Sequence, residues 1–246
     1  MKEFFWRLKR QLFPPYTSPV KHWERRYEKF GAGLTGPGCV ELDQQANQVD
    51  YESKWNHIRT ALLADGAPRR GTSLLDAGCG PGIFTERFLS LGYTVSAVDF
   101  AHNAVAVARK RVGDAVAWYV SGLGDFTPGR TFDVVICIDV LFHITDDALF
   151  RRAVLNLADL VDPGGRLIVQ DHLIPEKDVV LTYSPRETHV RWRSLERYTS
   201  ALGPRWELVA HEHYELPMEK TTKDVLVLAD RRPMQTSVES PAINGG

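Results

Sequence analysis

Cysteine and methionine are scarce, three of each in 246 residues. Cys39, Cys79 and Cys137 are odd in number and far apart. They form neither a disulfide framework nor a CxxC metal pair, so a reducing, cytoplasmic compartment is the expectation. No stretch approaches the roughly 18 consecutive apolar residues of a membrane span. The basic start, Met1 to Arg10, lacks the apolar core of a secretion signal. Net charge is also missing, with 30 Lys+Arg against 31 Asp+Glu. That removes the global electrostatic case for a nucleic-acid partner. No Gly-Lys-Ser/Thr follows a glycine loop, which excludes a phosphate P-loop. There is no internal repeat.

What is present is the composition of an ordinary globular chain, 43% hydrophobic and 25% charged, with enough length to bury a core without staples. The first 30 residues stand apart. They are basic and rich in aromatics, among them Phe4, Trp6, Tyr16, Trp23, Tyr27 and Phe30. Phe4, Leu8 and Leu12 fall at helical spacing, and Pro14-Pro15 ends that stripe. Such an arm suits packing on its own domain or on a dimer mate, or contact with a membrane surface. Residues 31–38 hold four glycines and read as a loop, a hinge or lid on one reading and a flexible connector on the other. The expected organisation is an arm over 1–48, one domain over 49–230 and a disordered polar tail over 231–246.

Periodicity predicts a helix over Val49–Ala64. An alternation follows: strand Thr72–Ala77, helix Ile83–Leu91, strand Tyr93–Val98, helix Ala101–Val112, strands Val116–Val120 and Phe132–Ile138, helix Asp146–Val161 and strand Arg166–Gln170. A helix over Arg186–Leu202 and two strands, Trp206–His213 and Asp224–Ala229, close the pattern. Continuous apolar strands alternating with helices predict an α/β, mostly parallel sheet covered on both faces, with an antiparallel hairpin at one edge. Ligands bind such sheets at the carboxyl ends of the strands.

The most informative segment is Leu74-Leu75-Asp76-Ala77-Gly78-Cys79-Gly80-Pro81-Gly82. A buried strand runs into a glycine turn that lets a ligand approach the backbone, and then into a helix whose N-terminus carries partial positive charge. The spacing is G-x-G-x-G, so Ile83 occupies the third position of a dinucleotide fingerprint. A second acidic residue, Asp99, ends the next strand 17 residues past Gly82, and Phe100 follows it. A carboxylate there can take both hydroxyls of a ribose, or cap the next helix.

These segments resemble motif I and the ribose-binding acid of the class I S-adenosylmethionine (SAM) dependent methyltransferases, over about residues 70–172. The resemblance implies a Rossmann-like doubly wound sheet. It implies SAM held by Asp76, Gly78, Cys79, Gly80, Gly82, Asp99, Phe100 and Asp139, with Gly122 and Leu123 at the adenine. The strand Phe132–Ile138 followed by Asp139 and His143 is similar to motif IV of the small-molecule group, and Val161-Asp-Pro-Gly-Gly165 to the family's turn before the fifth strand. Trp23-Glu-x-x-Tyr27 is similar to the opening of some glycan and sugar methyltransferases.

Methyl transfer from a sulfonium is an in-line displacement that needs alignment. An alcohol acceptor also needs its proton removed by a base or acidified by a metal. His143 is the leading base, with Asp139 beside it. Asp139, Asp171 and His172 are an alternative Mg2+ or Mn2+ set. His189, Arg191, Trp192, Arg193, His211, His213 and Tyr214 are candidates for the acceptor pocket. The expected activity is methylation of a hydroxyl of a small molecule, a sugar or glycan first, with a phenol, carboxylate or amine acceptor as the alternative, in a protein that is cytoplasmic or peripheral to a membrane and able to form a homodimer. An NAD-type oxidoreductase and a non-catalytic SAM-binding subunit are the competing classes. Gly80→Arg is expected to abolish SAM binding with the fold retained. Unchanged affinity in calorimetry would refute a cofactor pocket at this loop.

Overall fold

The computed structural model describes residues 18–174, 178–182 and 189–232. The chain forms helices α1 (Pro19–Phe30) and α2 (Gln44–Leu62) ahead of a long α/β alternation. That alternation runs β1 (Ser73–Ala77), α3 (Ile83–Ser90), β2 (Thr94–Asp99), α4 (His102–Val112), β3 (Ala117–Val120) and β4 (Phe132–Ile138). It continues through a 3-10 turn (Leu141–His143), α5 (Asp147–Asp159) and β5 (Val161–Asp171). Then come β6 (Val179–Thr182), β7 (His189–Trp192), α6 (Leu195–Leu202), β8 (Trp206–Glu215) and β9 (Thr222–Asp230).

Seven strands make one sheet in the order β3-β2-β1-β4-β5-β9-β8. The first five pair in parallel, and β9 pairs antiparallel with both β5 and β8. The predicted Rossmann-like sheet with an antiparallel hairpin edge is therefore the observed fold. β6 and β7 form a separate antiparallel pair. Because β9 runs backwards, its start lies at the edge where β1, β2, β4 and β5 end. Asp171 pairs with Asp224 there, and Ile138 with Gln170.

Both sheet faces are covered. One core gathers Phe150, Val154 and Leu157 of α5 and Tyr198 of α6 over the sheet. The other gathers Tyr51, Ile58 and Leu62 of α2 and Phe84 and Phe88 of α3. Among the described residues no helix is long and apolar enough to cross a membrane.

Three expectations change. The helix predicted over Arg186–Leu202 is a strand, His189–Trp192, and then a shorter helix from Leu195. The β-branched and aromatic residues at 190 and 192 alternate against Val179–Thr182, and that pairing overrides helical spacing. Helix α2 starts at Gln44 rather than Val49, because Asp43 accepts a hydrogen bond from the Ala46 N–H at 2.8 Å and caps it. The glycine-rich loop is pinned rather than free. The Asn47 amide donates to the Cys39, Leu42 and Asp43 carbonyls, and its oxygen accepts from the Cys39 N–H. The Arg26 guanidinium donates to the Gly36 and Gly38 carbonyls. The Phe4-Leu8-Leu12 stripe and residues 233–246 lie outside the described residues.

Leu157 is fully buried in α5. Leu157→Ala is expected to cost about 2–5 kcal/mol by urea unfolding, the range for deleting a core leucine.

Candidate functional site

The glycine loop sits at the ends of β1 and β2. The Gly78 and Cys79 N–H groups both donate to the Val98 carbonyl, at 2.7 and 3.0 Å. Gly78, Gly80 and Gly82 all have positive φ, at 87, 51 and 78°. A Cβ on Gly78 would overlap the Val140 side chain, and one on Gly82 would lie 3.0 Å from the Ala108 Cβ. This turn needs glycine for both conformation and space.

Asp99 holds the loop to β2. Its carboxylate accepts from the Gly80 N–H at 3.0 Å and from the Ala101 N–H at 2.9 Å. Burial pushes its pKa up to about 6 against the pull of those two N–H groups. Asp76 lies beneath, pushed up to about 7 by burial, and accepts from the Thr85 hydroxyl at 2.5 Å. Phe100 joins Tyr27, Ala101 and Ala104 in a small apolar cluster. Leu123 is buried, with its carbonyl held by the Asn156 amide at 2.7 Å. Asp125 pairs with exposed Arg152 and is a loop residue. A buried carboxylate beside positive-φ backbone fits the ribose and methionine portions of an adenosyl cofactor.

Helix α1 roofs this half of the site. The Tyr27 hydroxyl is 3.0 Å from where a Gly80 Cβ would lie. The Glu24 carboxylate accepts from the His102 and Asn103 N–H groups at 2.7 and 2.9 Å. It caps α4, whose own Ala101 offers no side-chain oxygen. Trp23 stacks on Tyr27 at 5.7 Å and meets the His143 ring edge-on at 5.1 Å.

The acceptor half lies at β4, β5 and β9. Asp139 has φ 57° and binds two lysines, Lys54 of α2 at 2.6 Å and Lys223 of β9. The Gln170 amide adds a third donor at 3.0 Å. Lys54 is 4% exposed and Lys223 2%. Burial works against ionising Asp139, but the two ammonium groups outweigh it and hold the carboxyl far below its usual range.

The proposed Mg2+ or Mn2+ set of Asp139, Asp171 and His172 does not assemble. Both Asp139 oxygens are taken by lysines. Asp171 accepts from the Tyr198 hydroxyl at 2.6 Å and from the His172 N–H at 2.9 Å. His172 stacks on Trp192 at 4.9 Å. Among the described residues no group of three or more His, Cys, Asp or Glu suits a metal ion. Asp139 as a proton acceptor is overturned by the same two lysines. His143 is brought to the expected edge. Burial, and then Arg26, push its pKa down to about 3, so the imidazole is neutral, and its Nδ1 has no hydrogen-bond partner.

The other candidates divide. Trp192 reaches this edge through His172. Arg191 pairs with Asp147 and Asp178, while Arg193 is buried over Phe150 and donates to the Ile144 carbonyl. His211 and His213 both bind Asp224, at 2.7 and 2.9 Å. The Tyr214 hydroxyl donates to Gln170. His189 opens β7. Sequence reasoning missed Lys54 and Lys223. Lys54 lies within helix α2, one residue before Trp55. Lys223 is the second residue of β9, two before the apolar run Val225–Leu228, and a charge inside a buried strand, which needs a partner, was a usable signal.

Asp99→Ala is expected to weaken S-adenosylhomocysteine binding by about 1.5–3 kcal/mol, the scale of hydrogen bonds to a charged group. With Asp99 expected to take the ribose hydroxyls in its ionised form, wild-type affinity is expected to fall as pH drops through about 6. An Asp99→Asn protein should show a flat profile in calorimetry. An unchanged slope there would assign the titration elsewhere.

Similar proteins carry the same architecture. Ubiquinone biosynthesis O-methyltransferase of Thiobacillus denitrificans is 37% identical over 116 residues, 45% of this chain and 48% of that protein. Nodulation protein S of Sinorhizobium fredii is 29% identical over 125 residues, 50% of this chain and 56% of that one. The match thus spans about half the length of these curated relatives. Among solved structures, the N-methyltransferase NodS of Bradyrhizobium japonicum with S-adenosyl-l-homocysteine superposes with a TM-score of 0.61 at 15% identity, covering 83% of this chain and 98% of that one. The magnesium protoporphyrin IX methyltransferase of Synechocystis with bound SAM gives 0.62 at 20% identity, covering 87% and 92%. Residues 47–224, well over half of the sequence, match the family described as a methyltransferase domain, and the chain belongs to that family.

Proposed function

We propose that this chain is a SAM-dependent methyltransferase acting on an oxygen of a small-molecule acceptor. Bound SAM supplies a methyl group on a cationic sulfur. The glycine loop and Asp76 take the methionine portion, Asp99 the ribose, and Phe100, Gly122 and Leu123 the adenine. Trp23 and Tyr27 exclude water from above, which strengthens every charge interaction below them. The His143 imidazole, neutral and with Nδ1 unpaired, hydrogen-bonds the acceptor.

The observation that carries oxygen over nitrogen is the pair of buried lysines on one carboxylate. An amine gains positive charge as it is methylated, and two ammonium groups nearby disfavour that transition state. An oxyanion undergoes the same one-unit rise in charge, but it ends neutral, and the two ammonium groups favour its binding where they oppose an amine's cationic product. N-methylation is the second reading, motivated by the fold shared with NodS. The sugar or glycan acceptor rested on Trp23-Glu-x-x-Tyr27, and here that segment roofs the cofactor half, a use independent of any carbohydrate.

The test offers SAM with phenol, carboxylate, sugar and amine acceptors and reads methyl transfer by mass spectrometry. Methylation of oxygen acceptors, indifferent to EDTA, is expected. Transfer confined to amines would overturn the oxygen assignment, and abolition by EDTA would reinstate a metal.

A further inference from the structure

We infer that the acceptor is methylated on an oxygen that is already an anion, a carboxylate or acidic phenolate, and that Lys223 binds it. This inference rests on the SAM-dependent reading and narrows its substrate class.

The first support is an inventory of bases at the acceptor edge. An alcohol must lose its proton, and a useful base has a pKa near the working pH. Asp139 is neutralised by Lys54 and Lys223. Asp171 is buried, faces α6, and is occupied by Tyr198 and a backbone N–H. His172 is sandwiched against Phe142 and Trp192. His143 sits under Trp23 with Arg26 and Lys223 acting on it, which keeps it a poor proton acceptor. Among the described residues none of these four can deprotonate a neutral hydroxyl.

The second support is charge. Two buried ammonium groups hydrogen-bond the one Asp139 carboxylate. Glu219 acts on both lysines without hydrogen-bonding either. A sulfonium arriving beside this cluster adds another cation. An anionic acceptor restores balance where a neutral alcohol does not.

The third support is placement. Lys223 of β9 pairs with Tyr214 of β8, one residue before the Asp171–Asp224 register, so its backbone lies two strands beyond β4 while its ammonium reaches back over the Phe142 ring to Asp139. That puts its charge on the acceptor side. The Trp192 indole N–H is buried there with no partner, a donor without an acceptor. The rings of Phe142, His172 and Trp192 give this side an aromatic wall.

The step balances without a proton transfer. The acceptor oxygen's lone pair forms the O–C bond, the C–S bond breaks, and its electron pair returns to sulfur. An anion and a sulfonium become a neutral ester or ether and a neutral thioether.

The experiment titrates the complex with S-adenosylhomocysteine by calorimetry, using benzoate, 4-nitrophenolate, benzyl alcohol and benzylamine. The two anions are expected to bind at least tenfold more tightly than the alcohol or the amine. Lys223→Gln should erase the preference while S-adenosylhomocysteine affinity stays within twofold, and Lys223→Arg should keep it. Should Lys223→Gln fail to fold, the Arg variant and the wild-type ranking still decide. Equal binding of all four, preference for benzylamine, or no binding at millimolar ligand would each overturn the inference. A Lys223→Gln loss confined to S-adenosylhomocysteine would assign the lysine to the cofactor carboxylate and overturn it too. Methylation of a sugar hydroxyl would sink this inference alone, whereas transfer only to amines would sink the oxygen reading itself.

Discussion

Asp139 joins four elements at one carboxylate. It ends β4, receives Lys54 from α2 and Lys223 from β9, and takes the Gln170 amide from β5. These partners are separated by 85 and 84 residues of chain. Buried ion pairs are weak contributors to stability, because desolvation offsets the attraction. A hydrophobic trio of similar volume would pack as well. The arrangement is explained better by what it does to the acceptor edge, where it fixes the sign of the field. Its positive φ at the strand end is the local strain that aims the carboxylate back toward both lysines rather than along β4.

Helix α1 couples that edge to the cofactor half. Glu24 caps α4, Tyr27 packs on the glycine loop, and Trp23 touches His143. One helix therefore covers both halves, and its seating determines how dry each becomes. Water exclusion raises the strength of the Lys54–Asp139–Lys223 field and lowers the basicity of His143 through the same burial. The two effects act together. A site made strongly positive by desolvation is also a site in which an imidazole stops being a base.

The glycine turn and its acidic neighbours were legible in the sequence because they are local. Asp76, the glycines and Asp99 lie within 24 residues, and the strand–turn–helix context follows from apolar runs and positive-φ glycines. The parallel sheet was legible for the same reason, since each strand reads as a continuous apolar run. The acceptor half was not. Lys54 and Lys223 meet Asp139 only after the sheet forms, and neither sits in a motif. The metal set failed for that reason: strand ends bring Asp139, Asp171 and His172 near one another, but lysines from elsewhere arrive first. The strand at His189–Trp192 was hidden because its partner, Val179–Thr182, carries its own short apolar pattern, and only the pairing decides between helix and strand.

That division has a physical consequence. The cofactor half depends on backbone geometry, which tolerates few side chains, as Gly78 against Val140 shows. The acceptor half depends on side chains from α2, β5, β7 and β9 converging on one strand end. Replacing any one of them changes charge or shape at that strand end and leaves the glycine turn after β1 in place.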